Sequence, residues 1–185
     1  MRNSRTVVFW LISTAVVLFL VSLIIVAPLA AANGHKELAA GIYNAFSPLC
    51  HQLPERSYFL GGYQFAVCSR CTGLYAGFAF TLLLYPLIRS LKTTTMPPRF
   101  VLLLAALPMA IDFSVTFFGF WENTHTSRLL TGLLLGSVTV FYVMPGIVEL
   151  SLRNSRATPR KGMFTLASAE SIASAPSDYS APDRR

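Results

Sequence analysis

The chain has 185 residues, enough for one domain; 54% of them are apolar, only 12% are charged, and the formal net charge is +7. That balance departs from soluble averages toward the membrane class. The positive charge does not point to nucleic acid, because the basic residues flank long apolar runs instead of clustering on a folded basic face.

The first element is Thr6 to Ala32, which carries no ionisable side chain; roughly 20 apolar residues suffice to cross about 30 Å of hydrocarbon. A basic start and the small-residue stretch Ala30-Ala31-Ala32 also suit a secretory signal. The apolar run is longer than the roughly 7–15 residues of a signal core, so an uncleaved anchor spanning 6–32 is expected. Residues 33–66 then form the one sizeable segment between spans, opened by Asn33-Gly34 and closed by Gly61-Gly62, both turn-prone pairs. Within it, Lys36 to Phe46 has the spacing of a short interfacial helix.

A second span is expected over 67–88, starting at Cys68-Ser-Arg-Cys71. Ser90 to Pro98 is a short link in which Pro97-Pro98 stops helix propagation. The third span, 100–120, is interrupted only by Asp112, and the fourth, 129–152, only by Glu149 near its end. Residues 153–185 are rich in Ser, Ala, Pro and Arg, with too few large apolar residues to repay ordering, and are expected to be a disordered basic tail. The expected fold is therefore all-α, a four-helix membrane bundle over 1–152; backbone groups cannot stay unpaired in lipid, and the runs do not alternate as barrel strands do.

Basic residues sort by side. Arg2, Arg5, Arg89, Lys92, Arg99, Arg153, Arg156, Arg160, Lys161, Arg184 and Arg185 fall on one, while Lys36, Arg56, Arg70 and Arg128 on the other are partly offset by Glu37, Glu55 and Glu122. The positive-inside rule puts both termini in the cytoplasm, the chain in the cell membrane, and 33–66 on the outer face. Trp10, Trp121, Tyr58 and Tyr63 suit interfacial anchoring. Thr72-Gly73-x-x-x-Gly77 and Thr131-Gly132-x-x-x-Gly136 open the second and fourth spans. They read as small-residue packing faces, of the kind that also brings copies of one chain together as a homo-oligomer; a duplicated hairpin is the alternative. Nothing in the pattern indicates a soluble partner.

All three cysteines, Cys50, Cys68 and Cys71, and His51 lie between Pro48 and Gly77. A metal reading surrounds one ion with three thiolates and the His51 imidazole, the tetrahedral set zinc accepts, with iron or copper as alternatives. Adjacent Cys-His is a less usual ligand pair, which leaves His51 as an outer hydrogen-bond donor in a variant of this reading. A redox reading makes Cys68 and Cys71 a reversible disulfide of a membrane thiol oxidoreductase, with Cys50 as partner thiol. A static disulfide with one inert thiol is the third. Haem attachment is disfavoured, because Thr72 and not His follows Cys71.

An intramembrane carboxylate is costly enough to be a site candidate. Asp112 is expected to pair with Arg128, with Pro108 kinking the helix nearby and Thr116, His125, Thr126 and Ser127 extending a polar cluster. A structural ion pair competes with a role as proton relay or anion anchor in a small transporter or scaffold.

The strings Cys50-His51-Gln52-x-Pro54-Glu55-Arg56-Ser57 and Phe65-Ala66-Val67-Cys68-Ser69-Arg70-Cys71-Thr72-Gly73, followed by Asp112 and Arg128-x-x-Thr131-Gly132, resemble the domain of unknown function 2085 family of prokaryotic membrane proteins. The resemblance covers roughly residues 45–140. It implies a multi-pass membrane protein and treats Cys50, His51, Cys68, Arg70, Cys71, Asp112 and Arg128 as one group of motif positions. It implies no stated activity and does not choose between metal and redox.

Overall fold

In the computed structural model, which describes residues 2–156, α1 (Arg2–Ala32) runs into a short connection and α2 (Lys36–Phe46). A single 3-10 turn (Pro54–Arg56) and a two-residue hairpin, β1 (Phe59–Leu60) with β2 (Tyr63–Gln64), follow. Then come α3 (Ser69–Ile88), α4 (Arg99–Phe117) and α5 (His125–Arg156). Among the described residues four helices are long and apolar enough to cross a membrane: Arg5–Ala32, Ser69–Ile88, Arg99–Phe117 and His125–Leu150. Residues 2–151 fall within one compact unit.

Helix boundaries follow local chemistry. α5 starts four residues before the expected Leu129, because the Thr124 hydroxyl accepts the Ser127 N–H at 3.1 Å and caps the polar turn His125–Arg128. α4 ends at Phe117 and not Phe120, with Gly119 at φ 73° turning the chain away. α5 runs on to Arg156, past Leu152, since no proline intervenes before Pro159. The rest of the expected disordered tail lies outside the described residues.

Each membrane helix contains one proline, and two of the carbonyls thereby orphaned are satisfied from other elements. Pro28 leaves the Ile24 carbonyl without its intrahelical donor, and the Ala66 N–H donates to it at 3.4 Å. Pro86 does the same to Leu82, whose carbonyl accepts the Trp10 indole N–H at 2.9 Å. Trp10 is thus a cross-bundle donor and more than the interfacial anchor its type suggested. In lipid, where no water replaces a missing partner, such bonds carry more weight than in a soluble core.

α3 and α5 meet backbone to backbone. A Cβ on Gly73 would collide with the Leu129 carbonyl and one on Gly77 with the Leu133 carbonyl. Reciprocally, a Cβ on Gly132 would collide with the Arg70 carbonyl and one on Gly136 with the Leu74 carbonyl. The two helices are parallel and exchange equivalent contacts about a local two-fold axis, and the Ser137 hydroxyl adds a bond to the Gly77 carbonyl at 3.3 Å. These glycines are therefore used inside one chain.

Three clusters form the core, the smallest being Ala30, Ala31 and Ala39 where α1 meets α2. Ile24 and Ala27 of α1, Ile42 and Phe46 of α2, and Cys50, Ala66 and Val67 pack at one end; Leu82, Tyr85, Val140 and Met144 pack toward the other, with Trp10 against them. α4 stands apart. Ala105 is its one buried residue, and Phe100, Leu103, Leu104 and Phe117 are each more than 60% exposed, a surface suited to lipid.

Candidate functional site

The segment between α2 and α3 folds back onto the start of α3 through a knot centred on Gln52, which sits at φ 51°. Its side-chain amide donates to the Tyr43 and Ala66 carbonyls, both at 2.8 Å, while its own carbonyl accepts from the Gln64 amide at 3.1 Å. The Tyr43 hydroxyl, whose acidity burial weakens, donates to the Gln64 carbonyl at 2.6 Å. Ser57 closes the Pro54–Arg56 turn by donating to the Leu53 carbonyl at 2.9 Å, and buried Ser69 donates to the Arg56 carbonyl at 3.0 Å. Tyr58 reaches the start of α5, donating to the His125 carbonyl at 3.2 Å with its ring 5.4 Å from the imidazole.

This knot delivers Cys50 to Cys68 and Cys71. The three sulfurs lie within 4.8 Å of one another, and all three are free thiols. Cys50 is buried; Cys68 and Cys71 are half-buried, one before and one inside the first turn of α3. The Cys68 N–H donates to the Cys50 sulfur at 3.2 Å, the type of bond that orients a thiolate ligand. Cys50 and then Cys71, as hydrogen-bond partners, hold the Cys68 thiol far below the usual range, against the opposing effect of burial. His51 does not join the sulfur group: its side chain is exposed and lines the adjoining cavity instead.

Asp112 pairs with Arg70, not with Arg128. The Arg70 guanidinium meets Asp112 Oδ2 at 2.5 Å, and Asn123 donates its amide to the same oxygen at 2.5 Å and to the Asp112 carbonyl at 2.7 Å. Arg70 lies on α3 one residue before Cys71 and stands 5.9 Å from the Phe113 ring. α4 continues through Pro108. Thr116 donates to the Asp112 carbonyl at 3.3 Å; Ser127 serves the cap of α5 and His125 the Tyr58 contact, so neither extends the carboxylate's own network.

A cavity of about 630 Å³ lies beside the thiols, bounded by Cys50, Cys68, Cys71, Arg56, Arg70 and Arg128, with His51, Thr116 and Asn123 also on its wall. Sequence reasoning missed Asn123, a single polar residue in a short link, and gave Arg56 no role although it stands inside the motif string. Arg128 is buried there at 9% exposure.

Residues 50–142 match the family described as predicted membrane protein (DUF2085). The chain belongs to that family. The match starts at Cys50 and takes in every residue of the cavity wall named above. An uncharacterised protein of Methanocaldococcus jannaschii is 36% identical over 118 residues, covering 64% of this chain and 76% of the relative. One of Methanothermobacter thermautotrophicus is 41% identical over 91 residues, covering 49% and 80%. No solved structure matches.

Proposed function

We propose that this DUF2085 protein holds one metal ion on Cys50, Cys68 and Cys71 at the outer membrane face, zinc first, with iron or copper as alternatives. The observation that supports it is the approach of three sulfurs to within 4.8 Å of one another. Thiolates around one zinc at about 2.3 Å stand roughly 3.8 Å apart, so small side-chain rotations close the set on one ion. The Cys68 N–H on the Cys50 sulfur and the lowered pKa of Cys68 favour the thiolate form a metal needs. Three protein ligands leave a fourth position for water or a ligand from the adjoining cavity, the pattern of reactive and not purely structural zinc sites. The outward orientation rests on the distribution of Lys and Arg, with both termini cytoplasmic.

Elemental analysis of detergent-purified protein tests this: about one zinc, iron or copper per chain is expected. A membrane-impermeant thiol reagent added to intact cells, after chelation, tests the orientation by labelling these cysteines.

Cys68 also favours a second reading, a thiol–disulfide oxidoreductase, since a stabilised thiolate at the start of Cys-x-x-Cys is the attacking group of such chemistry. A metal-free preparation in which Cys68 and Cys71 cycle between thiol and disulfide would favour it and end the metal reading.

A further inference from the structure

We infer that the cavity beside the thiols is a binding site for a phosphate-like oxyanion, held by Arg56 and Arg128 with help from Arg70. Three guanidiniums from three different elements, the 3-10 turn, α3 and α5, line one cavity. The ion pair with Asp112 uses one nitrogen of Arg70. Arg128 is nine-tenths buried, and its side chain has no hydrogen-bond or ion-pair partner among the described residues. The Arg70 Nε is fully buried and also unpartnered. A desolvated cation without a counter-charge is costly, so these donors need an anion that the chain itself does not supply.

The protein's own negative groups do not balance the site. Asp112 is engaged by Arg70 and Asn123. Three thiolates around a divalent ion carry one negative charge, and a lone Cys68 thiolate carries the same. Against three guanidiniums, each case leaves one positive charge on the cavity wall. The starts of α3 and α5 add to it: the Arg70 carbonyl abuts Gly132 and the Leu74 carbonyl abuts Gly136, so the two helices run parallel and direct their N-termini to the same end of the bundle. Planar donors converging from separate segments suit an anion with several oxygens better than a carboxylate.

The cavity, about 630 Å³, is much larger than a free phosphate. A second cleft of about 670 Å³, walled by Leu104, Leu107, Ile111 and Val115, shares Asn123 with it. A phosphate carried on an apolar chain and a free phosphate therefore present the same head chemistry, and experiment separates the sources. The inference does not depend on the metal reading.

The test uses the delipidated full chain in a neutral detergent, with metal content measured on every sample. One arm titrates inorganic phosphate by calorimetry at constant ionic strength; the other adds phosphatidic acid or phosphatidylcholine and counts bound lipid by native mass spectrometry. Saturable one-to-one binding in the first arm identifies a free anion. Retention of phosphatidic acid over phosphatidylcholine, without affinity for inorganic phosphate, identifies a lipid head. In either arm Arg56→Gln and Arg128→Gln are expected to weaken binding at least tenfold. Arg56 is exposed and its side chain has no partner, so Arg56→Gln decides the matter if Arg128→Gln fails to fold. Absence of saturable binding in both arms, or binding that survives Arg56→Gln within twofold, overturns the inference, whatever the metal content.

Discussion

Arg70 and Asp112 join α3 to α4 through a guanidinium–carboxylate contact of 2.5 Å, with Asn123 closing on the same oxygen from the link that follows α4. Since α4 buries only Ala105 against its neighbours, this polar clasp is a main attachment of that helix in its C-terminal half. Asp112→Asn removes the counter-charge and leaves Arg70 half-desolvated. The expected loss is about 2–3 kcal/mol, reduced from the fully buried value because the pair is partly exposed. A detergent melting curve should fall by roughly 4–10 °C; an unchanged midpoint would show that α4 is held by other means.

The Trp10–Leu82 bond exists because Pro86 cannot donate. Trp10→Phe should destabilise the protein by about 1–3 kcal/mol, the cost of an unpaired buried carbonyl. In a Pro86→Ala background residue 86 regains its N–H and the carbonyl an intrahelical partner, so the same substitution should cost markedly less. Additive effects in this double-mutant cycle would rule the explanation out.

Glycine substitutions should split by position. Gly77→Ala drives a methyl into the Leu133 backbone and is expected to cost about 1–3 kcal/mol. Gly41→Ala, in α2 with nothing within 4 Å of the added carbon, should be neutral or stabilising by about 0.5–1 kcal/mol. Thermal unfolding of the pair reads both signs at once.

The metal set is expected to be the three cysteines without the histidine. Cys50→Ser, Cys68→Ser or Cys71→Ser should each lower bound metal at least tenfold, whereas His51→Ala should retain about one ion per chain. Equal loss in His51→Ala would restore the imidazole to the ligand set.

In metal-free protein the lowered pKa of Cys68 predicts a pH profile. A thiol with an ordinary value of about 8.5 loses thiolate, and alkylation rate, about tenfold per unit below it. Cys68 remains thiolate well below that range, so its alkylation, followed by peptide mapping, should stay nearly flat from about pH 8 to pH 5. A tenfold fall per unit across this window would contradict the assigned hydrogen bonds.

Much of this was legible from residue order. Hydropathy and length placed the four long helices, and the apolar spacing of Lys36–Phe46 gave α2 with its observed ends. The cysteines were grouped because Cys-x-x-Cys opens a helix and the preceding segment is short enough to fold back. What sequence spacing could not decide was which arginine meets Asp112. Arg70 and Arg128 both stand in the first turns of parallel helices at one depth, and only the side on which α4 packs distinguishes them. Gln52 was equally opaque: a glutamine in a polar segment carries no signal that its amide will bridge two distant carbonyls. The early start of α5 was hidden because His125, Thr126, Ser127 and Arg128 lower local hydropathy while Thr124 supplies the cap.

The interlocked glycines of α3 and α5 have a mechanical consequence. Cys71 and Arg128 each stand one turn or less above the point where the two backbones touch, so they are mounted on a stiff double strut whose spacing carbonyl contacts define. The opposite wall hangs on α4, a helix with one buried side chain and one polar clasp. Any widening or narrowing of the cavity must therefore be a displacement of that compliant wall, with the thiols and Arg128 serving as the fixed jaw.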